Sequence, residues 1–138
     1  MNEVSFQIVG EPKGKGRPRF SRRGNYVRTY TPEDTLNYEA YIKVSYLNEV
    51  GRKKLEGQIE AKITGIFPIP KSTSKKQRAL MLSGDVMHTK KIDCDNLAKT
   101  VLDALNGIAY DDDKQVCRLI VEKKYGENPC VNVRLKEI

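Results

Sequence analysis

Residues 91–115, KIDCDNLAKTVLDALNGIAYDDDKQ, hold six aspartates, at 93, 95, 103, 111, 112 and 113, and no glutamate. Lys99 is the only base between Asp93 and Asp113. Carboxylates gathered this densely repel one another, and they stay ionised near neutral pH when a cation sits among them. All-oxygen donors suit Mg²⁺, with Mn²⁺ as a substitute, whereas Zn²⁺ would call for His or Cys. The chain as a whole carries 25 Lys and Arg against 18 Asp and Glu, a net charge of +7 at pH 7. That balance points to a polyanion such as nucleic acid as partner, ahead of an anionic membrane. An acidic metal centre in a basic surface is the arrangement that hydrolyses a phosphodiester. The metal activates water and neutralises charge on the phosphoryl oxygens, and the bases hold the nucleic-acid backbone.

Each acid also has a plainer reading. Asp95 can cap a helix, and Asp111, Asp112 and Asp113 can form a solvated turn. Asp103 lies four residues beyond Lys99, so a helical ion pair is the expectation there. Lys99 stands between two roles, an ion pair with Asp95 or Asp103 and an electrostatic clamp on a phosphate. Beside carboxylates its charged form is favoured, so it is a poor general base. His88, the one histidine, is expected in a surface loop. Cys94, Cys117 and Cys130 have no metal-ligand spacing and form no disulfide framework, which fits a reduced, cytoplasmic setting.

The elements that must position these groups follow from periodicity. Residues 3–9 read as a strand. Helix signals at Thr31-Pro32-Glu33-Asp34, followed by Leu36, Ala40, Val44 and Leu47, predict a helix over 33–49. Ile59, Ala61, Ile63, Gly65 and Phe67 alternate with polar residues as a second strand, and residues 73–83 form a short basic helix. Asp95 is expected to cap the helix that carries Leu97, Val101, Ala104 and Leu105 on one face and stops at Asn106-Gly107. Residues 116–125 and 130–136 read as strands joined in a hairpin through 126–129. Two of the acids then precede the last helix and three follow it, so they meet only if the return strand lies beside the segment holding Asp93. Asp93 and Asp95 are expected to converge from extended backbone. The whole implies one α+β domain over 1–138, a mixed sheet of about four strands packed with about three helices.

The loop after the first strand is rich in Gly, Pro and base, so no regular element is expected across most of it. Lys13, Lys15, Arg17 and Arg19 alternate with Gly14, Gly16 and Pro18, which suggests an extended arm tracking phosphates, with Arg22 and Arg23 continuing it. Lys90 and Lys91 belong to a second basic group beside the acids. The N-terminus lacks the pattern of a signal peptide, and no apolar run approaches the roughly 18 residues that span a bilayer, so no membrane association is expected. A non-catalytic, structure-selective DNA-binding protein would explain the charge but not the aspartate spacing. A phosphohydrolase of small molecules would place its Asp at the end of an apolar strand, and MHTKKID is not one.

The motifs D-x-D-N-L-x-K at 93–99, D-A-L-N-G at 103–107 and D-D-x-Q at 112–115 resemble the RusA family of Holliday-junction resolvases. So do G-K-G-R-P-R-F at 14–20 and Y-T-P at 30–32, in the branch common in phage and prophage. The resemblance spans about residues 8–120. It implies a homodimeric, Mg²⁺-dependent endodeoxyribonuclease that resolves four-way DNA by paired symmetric nicks and needs no small-molecule cofactor. It would act in the cytoplasm, at the nucleoid during recombination. The family's catalytic residues fall on Asp93, Asp95, Lys99 and Asp113, its metal ligands on Asp93, Asp95, Asp112 and Asp113, and Asp111 is a reserve ligand. Phosphate contacts are expected from Lys13, Lys15, Arg17, Arg19, Lys90 and Lys91.

Overall fold

The computed structural model of the chain describes residues 2–16, 19–23, 26–30 and 33–138, the backbone alone for 19–23, 26–30, 33 and 34. Four strands form one sheet: β1 (Glu3–Val9), β4 (Ile59–Pro68), β5 (Val116–Gly126) and β6 (Cys130–Glu137). A separate antiparallel ribbon is made by β2 (Arg19–Arg23) and β3 (Tyr26–Tyr30). The helices are α1 (Glu33–Glu49), α2 (Lys75–Ser83) and α3 (Cys94–Ala104). This is the mixed-sheet α+β arrangement expected from the periodicity.

The ribbon corrects the expectation of an irregular loop. Arg19–Arg23 and Tyr26–Tyr30 are short runs containing Phe, Tyr, Val and Thr, and such residues pair once Gly and Pro confine the breaks to either side.

The sheet order is β1-β6-β4-β5, with β4 and β5 parallel and the other neighbours antiparallel. The predicted β5–β6 hairpin does not form. After residues 127–129 the chain passes over β4, and β6 inserts between β1 and β4. Burial explains the choice: Val131, Val133 and Leu135 are all buried, which suits a central strand. β5 carries Arg118, Lys123 and Lys124 and exposes Cys117 through Ile120, which suits an edge that must not pair with another chain.

One face of the sheet is covered and the other is open. Ile59, Ala61, Ile63, Val131, Val133 and Leu135 share a core with Tyr38, Ile42 and Tyr46 of α1 and with Leu97, Val101 and Leu105 at α3. Phe6 meets the edge of Tyr46 at a ring separation of 5.2 Å. A close approach falls at Gly65, where an added Cβ would come within 2.9 Å of Leu97 Cδ2 and 3.1 Å of the Phe67 ring. Glycine there lets α3 lie directly on β4. Replacing it by valine is expected to lower stability by about 1–3 kcal/mol, the usual cost of overpacking. A lower urea midpoint at unchanged slope would record this, and an unchanged midpoint would show that Leu97 yields freely.

Candidate functional site

α3 sets the geometry. Its buried side is Leu97, Ala98, Thr100, Val101, Leu102 and Ala104. Among the residues outside this set, Asp95, Lys99 and Asp103 recur every four and so form one line along the helix. The helix starts two residues earlier than expected. Asp93, not Asp95, is the N-cap, and Asp95 lies in the first turn. Extended backbone therefore does not set the two side chains in register. The Asp93 carboxylate makes no capping hydrogen bond, and it and Asp95 are both exposed. Neither forms an ion pair among the described residues. These two acids sit where the helix dipole favours negative charge, yet neither is consumed by the fold.

At the far end of α3, Asp103 is an ionic hub. Lys15 Nζ lies 2.8 Å from its Oδ2 and Lys99 Nζ 3.6 Å from the same atom, and Lys15 also reaches Glu39 at 3.6 Å. Burial alone would raise the Asp103 carboxyl, but the hydrogen bond and charge of Lys15, with Lys99 behind, hold it below the ordinary value. The hydrogen bond to Asp103 in turn raises Lys15. The helical ion pair expected of Asp103 is present, and Lys99 takes part in it with its side chain still 67% exposed. Lys15 is thus committed to the protein's own acids.

Asp113 reaches the same hub. Burial comes first in raising its carboxyl, followed by the adjoining carboxylates of Asp103 and Asp112. Its position is fixed by Asn106, whose Oδ1 accepts the Asp113 backbone N–H at 2.8 Å. Gly107, at φ +78, makes the return after α3. Asp112 and Gln115 form a reciprocal cap on the turn Asp113–Gln115. Asp112 Oδ1 accepts the Lys114 N–H at 2.9 Å, and Gln115 Oε1 accepts those of Asp111 and Asp112 at 3.0 and 3.1 Å. The Lys114 N–H is the main reason the Asp112 carboxyl is lowered. Asp111 pairs with Lys54 at 3.0 Å on the surface.

The two acidic groups stay apart in this chain. From Asp93 to Asp103 the helix rises about 15 Å, and Asp113 lies beside Asp103 and Asp112. The return strand does lie beside the segment before Asp93, as convergence required, but by its far end: His88 N–H donates to the Lys123 carbonyl at 3.2 Å, ten residues past Asp113. Among the described residues, no group of three or more His, Cys, Asp or Glu is placed to hold a metal ion. The donor chemistry nonetheless fits Mg²⁺, which keeps several waters and is held by one or two carboxylates plus substrate phosphates. Asp93 and Asp95 are such a pair.

The base-rich arm is stitched down. The Lys15 N–H donates to Asn96 Oδ1 at 2.7 Å, Asn96 Nδ2 returns to the Lys15 carbonyl at 3.4 Å, and the Gly16 N–H donates to Thr35 Oγ1 at 2.8 Å. A Cβ on Gly14 would fall within 2.8 Å of both Asn96 and Ile92, so glycine is required for this approach. Lys13 is exposed, with Nζ 5.9 Å from the centre of the Tyr38 ring. Arg17, and the side chain of Arg19, lie outside the described residues. Lys90 and Lys91 are exposed just before Asp93. Three amides absent from the expected site, Asn96, Asn106 and Gln115, turn out to position its parts. Each stands inside one of the motifs, which was the available signal.

His88 is not a solvated loop residue. Its ring stacks on Phe67, centroids 3.7 Å apart and planes 7° apart, and meets Tyr125 at 5.2 Å. The cysteines are free, with Cys94 and Cys117 exposed and Cys130 buried. No helix among the described residues is long and apolar enough to cross a membrane.

A small α+β domain that presents a line of carboxylates within a basic surface belongs with proteins acting on polyanions. The sequence profile described as Endodeoxyribonuclease RusA matches residues 9–136. A curated relative, "Uncharacterized protein YqaN" of Bacillus subtilis (strain 168), is 34% identical over 140 residues, covering 100% of this chain and 99% of that protein. The chain belongs to the RusA endodeoxyribonuclease family, and its activity class is hydrolysis within DNA strands.

The packing of His88 yields a pH prediction. Burial first, then the charges of Lys123 and Lys90, push its pKa below the ordinary 6.5. The folded state therefore binds fewer protons than the unfolded one. The contribution is complete above about pH 6.5 and is lost as pH falls through the lowered folded value. The stability of the wild type should drop more between pH 7.5 and 5 than that of His88→Phe, in paired urea titrations. Equal drops would show that His88 does not titrate in this way.

Proposed function

We propose that the protein is a Mg²⁺-dependent endonuclease that resolves four-way DNA junctions by paired symmetric nicks, working as a homodimer. The observation that carries this reading is the pair of unengaged carboxylates, Asp93 and Asp95, at the exposed start of α3 in a member of this family. Carboxylates serving only the fold would cap the helix or meet a lysine, as Asp112 and Asp103 do. Mg²⁺ would be held by Asp93 and Asp95, with waters and the substrate phosphate completing its shell, and when bound it would supply water activation and charge neutralisation at the phosphate.

The chain's own side chains do the remainder. Lys99, one turn beyond Asp95 and largely exposed, clamps the scissile phosphate as a fixed cation. Its partner Asp103 orients the ammonium, and Lys15 keeps Asp103 ionised for that purpose. Asn106 holds Asp113 through its backbone. Lys90 and Lys91 bind the flanking phosphates, joined on the arm by Lys13, Arg17 and Arg19. A two-fold dimer matches the two-fold symmetry of a four-way junction, one site for each strand cut.

Asp93→Asn or Asp95→Asn is expected to abolish cleavage of a synthetic junction in Mg²⁺ while junction binding persists. Lost binding by a folded variant would remove the metal-ligand role. Side-by-side cleavage of a junction, a fork and linear duplex tests the substrate, and equal rates on all three would overturn junction selectivity. Non-catalytic binding to branched DNA predicts no Mg²⁺-dependent nick in any of them.

The phosphate contacts have a separate readout. In a plot of log affinity against log salt, Lys90→Ala and Lys91→Ala should each reduce the slope by about 1. An unchanged slope would place that lysine off the DNA path.

A further inference from the structure

Away from the acids, an open cleft of about 340 Å³ is lined by Phe67, His88 and Tyr125 together with Lys90, Lys91 and Glu11. Phe67 and Tyr125 are register partners on parallel β4 and β5. His88 is laid on Phe67 by the loop that leads into α3. That loop is fastened twice to β5: the His88 N–H donates to the Lys123 carbonyl at 3.2 Å, and Lys123 Nζ donates to the Lys90 carbonyl at 2.6 Å. The same ammonium stands 5.9 Å from the centre of the Phe67 ring. The aromatic wall is therefore built before any ligand arrives. His88 Nδ1 is buried and has no hydrogen-bond partner among the described residues.

We propose that this cleft receives one unpaired nucleotide of the DNA, its base stacked against the His88–Tyr125 wall and its phosphate held by Lys90 and Lys91. The inference rests on the DNA-cleaving reading and adds to it a base-contacting subsite. An aromatic wall beside two exposed lysines matches a ligand that is flat and apolar at one end and anionic at the other. That is a nucleotide out of its stack, and bases displaced from a duplex are held in this way. The volume is within the range of small-ligand pockets. Paired DNA cannot enter, because its bases are covered on both faces. Position makes the subsite useful. Lys91 is two residues before Asp93, a span of at most about 7 Å. The backbone at Lys91, on the phosphate-binding side of the cleft, is thus within about two nucleotides' length of Asp93, at the rise of about 3.4 Å per nucleotide. The cleft selects DNA in which a base beside the cut is free to leave its stack, as at a branch point.

The test uses the full chain in EDTA, where cleavage is suppressed, and two fluorescent duplexes. One carries a single bulged thymidine and the other an abasic residue at the same position. Wild type should bind the thymidine probe roughly tenfold more tightly, the scale of one base–aromatic stack. Tyr125→Leu and His88→Leu should erase the difference while keeping the affinity for the abasic probe. If His88→Leu does not fold, Tyr125→Leu carries the comparison. Independently, 5-iodouracil at the bulge should photocrosslink wild-type protein at His88 or Tyr125. Equal wild-type affinity for the two probes, a preference that survives in the folded variants, or crosslinks confined elsewhere would each overturn the subsite. If wild type nicks a junction in Mg²⁺ but shows no base preference, the subsite alone fails. If it nicks no DNA and binds neither probe, the nuclease reading fails with it.

Discussion

The close contact of α3 with β4 is the constraint on which the rest depends. Leu97 sits against Gly65, where any side chain would intrude. With Leu97, Val101 and Ala104 committed to the core, the opposite line of the helix has no freedom. Asp95, Lys99 and Asp103 must face outward. The core thus fixes the direction of the acidic line by packing, which is more rigid than any bond the acids themselves could make in water.

A second layer of control is polar and local. Asn96 ties the arm at Lys15 to the start of α3, Asn106 ties Asp113 to its end, and Gln115 closes the turn that carries Asp111 to Asp113. These amides are neutral, so they place charged groups without cancelling their charge. A lysine in the same positions would have quenched the acid it was holding. Asp103 and Lys15 are the exception. There the ion pair is the purpose, and it brings one arm residue, one helix residue and Glu39 of α1 to a common point.

The electrostatic plan follows from these two layers. Acids are gathered along and just beyond α3, while Lys90, Lys91 and Lys13 lie outside the line. Asp113 carries the cost of this plan, because burial, and after it the two neighbouring carboxylates, raise its own. The other face of the sheet, lined by side chains such as Lys62 and Arg134, sets acids against bases, Glu122 against Lys62 and Glu3 against Arg134.

Much of this was legible in the sequence. Periods of two and 3.6 located the four sheet strands and the three helices, and spacing by four joined Lys99 to Asp103. Such features depend on neighbours close along the chain, so local pattern suffices to determine them. Other features were decided by tertiary structure. That β6 leaves β5 to insert beside β4, that Asp93 rather than Asp95 caps α3, and that Lys15 pairs with Asp103 all turn on residues distant in sequence competing for one place. His88 makes the same point most sharply. In sequence it stands alone in a polar stretch, and only the parallel pairing of β4 with β5 sets Phe67 and Tyr125 where its ring must stack.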